Sequence, residues 1–255
     1  MPNLLNQFYP NKTVAAMNWD AFLQNNHDFQ KWDAEHFTWL GIGVCWWAFW
    51  VWFGLRQRTE AAKTRAAVVM SLVPVAAWFL FLSIVLYVGD WNLANVLPLH
   101  LCYALNFVMP VMLWRRSHLL YEATYFWVTA ACIQALFTPD LSTAWPGWFS
   151  VKYWPVHIGL VGSTLYATIV YGFRPRYAGI FWALLFGNIF VVLLHPLNVW
   201  LGTNFMYTEK PAPGSLLEPL GEHYLLWAEP IALLFFHIVY LPIWYAQKNG
   251  QVKPA

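Results

Sequence analysis

The sequence predicts an all-α fold: a polytopic bundle of seven transmembrane helices, N-terminus outside and C-terminus in the cytoplasm. Three observations predict it. First, the 255 residues are 60% hydrophobic and only 10% charged, whereas a soluble domain carries about 25% charged residues. Too few charges remain to coat a water-facing surface, so the apolar excess must face lipid. Second, apolar runs recur at the length that a bilayer core requires, roughly 20 helical residues for about 30 Å. Third, Lys and Arg alternate between the loops, as topology in membranes demands.

The runs place helices over residues 36–55, 67–88, 94–114, 119–138, 152–173, 178–200 and 222–246. Residues 1–35 form an extracytoplasmic segment, 36–246 the bundle and 247–255 a cytoplasmic tail. The first 35 residues have no apolar stretch after a basic start. No cleavable signal is expected, and the first helix serves as the insertion signal. Arg56, Arg58, Lys63 and Arg65 follow the first helix, Arg115 and Arg116 the third, Arg174 and Arg176 the fifth, and Lys248 and Lys253 the last. These fall on one side, leaving Lys12, Lys31, Lys152 and Lys210 on the other. The basic side is cytoplasmic. Residues 202–221, rich in Pro and Gly, make the longest connection.

Polar groups inside a span are costly and normally face the bundle interior. Here they gather towards the outer ends of the helices: His36, His100, Gln134, His157, His195 and Asn198, with Glu229 about two turns into the last span. Glu122, His118 and His237 are the few in the inner half. The pattern predicts one cavity lined by His36, His100, Gln134, His157 and Glu229. In a regular helix His100 and Cys102 stand about 200° apart and cannot share a small pocket, although Pro98 is placed to distort that stretch. By the same phase Cys132 points about 160° away from Gln134. The bland alternative for any single histidine is an interhelical hydrogen bond, and for Cys102 a small packing residue.

Three chemistries fit the cluster. A histidine beside a cysteine can activate it for acyl transfer; His157 is the candidate base, Cys102 the candidate nucleophile, and Glu229 or Gln134 the group that orients the imidazole. A lipid hydroxyl deprotonated directly by His157 would avoid a protein nucleophile. Zinc-dependent hydrolysis would draw ligands from His36, His100, His157 and His195, but no HExxH or other close spacing supports a metal, and no metal ligand is assigned. A non-enzymatic ligand-binding or transport protein could use the same cavity. No cofactor is expected. The three cysteines, Cys45, Cys102 and Cys132, all lie in apolar runs and form no disulfide framework.

Several segments resemble the YwaF-type family of bacterial integral membrane proteins. They are LPLHLC at Leu97–Cys102, YFWVTAACIQALFTPDL at Tyr125–Leu141, WPVH at Trp154–His157 and NVWLGTNFMYTEKPAPGSLLEPLG at Asn198–Gly221. His36 and Glu229 also fit. The resemblance implies a multi-pass protein of the bacterial cytoplasmic membrane. It extends distantly to eukaryotic multi-pass proteins that transfer acyl chains onto ether phospholipids, where a Cys early in a central helix and a His in a later one form the proposed pair. His157 matches that His; the Cys position falls at Cys102 or at Leu99. The resemblance also implies that Asn198 and Asn204 fix backbone at the pocket rim. The expected activity is therefore lipid modification, by acyl transfer or hydrolysis. Its partners are membrane lipids and no nucleic acid, and the oligomeric state stays open.

Overall fold

The computed structural model describes residues 28–89, 91–212, 215 and 217–250. Most of the expected N-terminal segment, the end of the tail and positions 213, 214 and 216 of the long loop lie outside the described residues. The architecture is an all-helical bundle. Its helices are α1 (Ala34–Leu55), α2 (Glu60–Val88), α3 (Leu101–Arg115), α4 (His118–Trp127, Val128–Cys132 and Ile133–Phe137), α5 (Trp148–Ile169), α6 (Ala178–Leu201) and α7 (Tyr224–Lys248). Among the described residues, five helical segments are long and apolar enough to cross a membrane: those of α1, α2, α3, α6 and α7. α4 and α5 are the other two members of the bundle.

α5 is the central helix. It packs against α1, α2, α3 and α4, while α6 and α7 lie against α4 on the other side. Of the 22 residues in α5, 17 are buried. Small residues let its neighbours come close. A Cβ added to Gly159 of α5 would lie 2.5 Å from Cγ of Pro74 on α2, well inside van der Waals contact. The Trp47 indole of α1 donates to the Ile158 carbonyl at 2.8 Å.

Three boundaries differ from the sequence reading. α2 begins at Glu60, not 67, because Thr59 caps it by accepting from the Ala62 N–H. Lys63 and Arg65 are therefore helical. α5 begins four residues earlier than expected, after Gly147, and ends before Gly172, whose φ of 74° takes the chain out of the helix. Lys152 thus lies more than one turn inside the helix. The third span is broken: a short turn, Leu93–Val96, stops at Leu97, and α3 starts only at Leu101. Pro98 forces this, since the residue before a proline is pushed into an extended conformation, here φ −86° and ψ 128° at Leu97.

The basic end of the bundle is tied by ion pairs. The buried Glu122 carboxylate accepts from the Arg176 backbone N–H and Nε, both at 2.8 Å, and from Nη2 at 2.7 Å. His118 stands 3.7 Å from the same carboxylate. Glu60 pairs with Lys63 and Arg116.

Candidate functional site

The broken start of α3 shapes the site. His100 is the extended N-cap residue of α3, with ψ 146°, and its side chain makes no capping bond. It therefore escapes the 200° separation expected of a continuous helix. Its ring packs against Phe205 and Tyr207 of the loop after α6, with centroids 5.5 and 5.3 Å away. Cys102 sits in the first turn of α3, where amide groups still lack intrahelical acceptors.

α4 brings a second thiol to the first. Val128–Cys132 is a π-helical turn, the one-turn widening that shifts helical phase by one residue. Cys132 is fully buried, with its Sγ 3.4 Å from Sγ of Cys102. From α5, the His157 imidazole stands close enough to the Cys102 thiol to interact with it electrostatically. His157 Nδ1 lies 2.8 Å from the Tyr153 carbonyl. A carbonyl only accepts, so Nδ1 carries the proton, and in the neutral ring Nε2 is left with its lone pair. Tyr153 itself is pinned to α4 by its hydroxyl, which donates to the Ala135 carbonyl at 2.6 Å. Its ring lies 4.1 Å from the imidazole.

Beside this group is a cleft of about 180 Å³ lined by Tyr103, Asp140, Leu141, Ser142, Phe149 and Tyr153. Tyr207 reaches its edge, with its hydroxyl 3.5 Å from Oδ2 of Asp140. Burial first, then the Asp140 carboxylate, push the Tyr207 phenol up to about 12, so it remains a neutral donor at physiological pH.

The expected single cavity divides. His100 and His157 meet around Cys102. His36 does not join them: its Nδ1 accepts from the Trp32 N–H at 2.9 Å, and Nε2 therefore donates to the Leu136 carbonyl at 2.7 Å. With both nitrogens occupied, His36 holds the start of α1 against the end of α4. Gln134 is exposed on the outside of α4. Glu229 is also exposed and bonds Asn188 across α6 and α7. Neither reaches His157, whose ring is oriented by the Tyr153 carbonyl instead. His195 is exposed and pairs with Glu209 at 2.9 Å.

The two asparagines organise the loop. The buried Asn198 amide donates to the Phe205 carbonyl and the Thr208 hydroxyl, each at 2.8 Å. Its oxygen accepts from the Thr203 hydroxyl at 2.8 Å and the Phe205 N–H at 2.9 Å. Asn204 donates to the Lys210 carbonyl and accepts from the Glu209 and Lys210 N–H groups. The loop is thereby held with Phe205 fully buried against His100. Among the described residues no three His, Cys, Asp or Glu side chains form a group that could hold a metal ion.

Sequence reasoning missed Cys132 and Tyr153 as parts of this group. Tyr153 was within reach, because residue i−4 of a helical histidine offers its carbonyl to the ring. Cys132 was not, because nothing in helical phase alone says which neighbour a face meets.

No curated protein matches the chain, and no solved structure does. The TMEM164 family matches residues 31–241, nearly the whole described bundle. The chain belongs to the TMEM164 family, a family of multi-pass membrane proteins.

Proposed function

We propose that this chain is a lipid-modifying enzyme of the bacterial cytoplasmic membrane, transferring acyl chains with Cys102 as nucleophile and His157 as general base. The observation that carries the reading is the Cys102–Cys132 thiol pair, 3.4 Å apart, beside the His157 imidazole, whose Nδ1 is engaged by the Tyr153 carbonyl. Nε2 takes the thiol proton. The thiolate attacks the carbonyl carbon of a lipid ester, the ester C–O bond breaks, and the departing alkoxide receives the proton from Nε2. The acyl thioester is then cleaved by the hydroxyl of an acceptor lipid, or by water, which His157 deprotonates in turn. The Cys132 thiol stands 3.4 Å from the Cys102 sulfur and can donate to it once the Cys102 proton has passed to Nε2. The uncapped first turn of α3 offers amide donors to the thiolate and the oxyanion.

The resemblance to YwaF-type proteins and to eukaryotic ether-phospholipid acyltransferases supports the same reading. The position of Cys102 against the imidazole favours Cys102, rather than Leu99, as the counterpart of their cysteine. The test uses purified protein and a phospholipid donor. Cys102→Ala abolishes a hydroxylamine-sensitive acyl-enzyme, and His157→Ala lowers turnover by about 10²–10⁴-fold. A folded His157→Ala variant with the wild-type rate overturns the assignment. Undiminished turnover in Cys102→Ala replaces the thiol with direct activation of the lipid hydroxyl.

A further inference from the structure

Lys152 is buried in α5, only 3% exposed, and stands among aromatic rings. Its Nζ lies 3.9 Å from the ring centroid of Phe81, 4.3 Å from that of Tyr103 and 5.3 Å from that of Phe149. Among the described residues no carboxylate pairs with it, and no hydrogen bond to its Nζ is formed. Ring faces attract a cation, but they supply neither a counter-charge nor good acceptors for three N–H groups. A buried ammonium without either is costly. Two of its rings, Tyr103 and Phe149, are walls of the cleft beside His157.

We infer that Lys152 and its ring cage form an oxyanion subsite that holds a phosphate group in the cleft between Tyr103 and Phe149. The inference rests on the acyl-transfer reading for its source, a glycerophospholipid. Spacing agrees: five residues, about 7.5 Å of rise with about 140° of rotation, separate Lys152 from His157, and both reach the first turn of α3, at Tyr103 and Cys102 respectively. A phosphate and its own ester carbonyl are joined by a glycerol unit of comparable reach. With the phosphate on Lys152, the ester lies towards Cys102. The Ser142 hydroxyl and the Asp140 carboxylate, also in the cleft, then face the remaining headgroup.

The experiment measures ligand-induced melting shifts of the full chain in lipid-free detergent, in a Cys102→Ala background where no acyl-enzyme forms. The probes are dioleoylphosphatidylglycerol, dioleoylglycerol with the same chains and no phosphate, and glycerol 3-phosphate with no chains. Phosphatidylglycerol should raise Tm by about 4 °C or more and dioleoylglycerol by much less. Lys152→Met should remove that difference and, without lipid, melt no lower than its parent, since the substitution deletes an uncompensated charge. An equal response to glycerol 3-phosphate, lost in Lys152→Met, keeps the subsite and assigns it to a free phosphate. Equal shifts from the two lipids overturn the inference. So does a Lys152→Met protein that keeps the discrimination or fails to fold, because the amine would then serve the fold. None of these readouts depends on turnover, so failure of the acyl-transfer reading is scored separately.

Discussion

At the residue scale, an amide or imidazole whose bonding capacity is full has been committed to structure, and one with capacity left is free for chemistry. Asn198 makes four bonds and His36 two. Asn198→Ala should strand several buried partners at about 1–3 kcal/mol each. We expect it to lose about 3 kcal/mol of stability by thermal unfolding in detergent, and to open residues 203–210 to protease. Unchanged melting and protection would show that the loop holds itself. Residue types in the sequence pointed towards both polar groups, but not to their roles. Helical phase correctly set Cys132 and Gln134 on opposite faces of α4. The error lay in choosing Gln134 as the inward one, because an amide looked more functional than a thiol. Only packing against Cys102 decides that, and packing is not a property of one helix.

At the element scale, α4 is two regular stretches with a π turn between them. Its ends are fixed separately: Glu122 is clamped by Arg176 at one end, and the Leu136 and Ala135 carbonyls are held by His36 and Tyr153 at the other. The extra residue in Val128–Cys132 allows both attachments to hold at once. Inserting one alanine after Ala131 should exceed the single-residue offset that the π turn absorbs and rotate one end by about 100° relative to the other. In a Cys45→Ala background, dibromobimane should then bridge the Cys102 and Cys132 thiols in the parent but not in the insertion variant. Equal crosslinking in both would mean that the turn does not set the position of Cys132. The break before α3 was legible from Pro98. The π turn was not, since the same apolar letters would also make an unbroken helix.

At the scale of the whole molecule, the seven apolar runs and their order were readable because membrane insertion depends on composition over long windows. Orientation rests on the same basis. Arg56, Arg116 and Arg176 gather at one end of the bundle, while residues 202–212 lie at the other. A tag placed in residues 56–59 should report the cytoplasm, and one near residue 212 the outside. A tag near 212 reached only from the cytoplasm would invert the molecule. The site was less legible, since it forms where α3, α4 and α5 meet and no one helix holds it.

The central place of α5 has a consequence for the order of synthesis. α1, α2 and α3 leave the ribosome before the helix around which they close. Until α5 arrives, Pro74, Trp47 and the first turn of α3 border a groove with nothing of the chain in it. Lipid tails must fill that groove and then be displaced. A tail fits poorly where Gly159 later brings backbone against Pro74, so displacement is driven by close packing more than by the hydrophobic effect, which is weak between helix and lipid. If the bundle closes in chain order, the space where Lys152 and His157 come to stand is lipid-filled before it is enclosed.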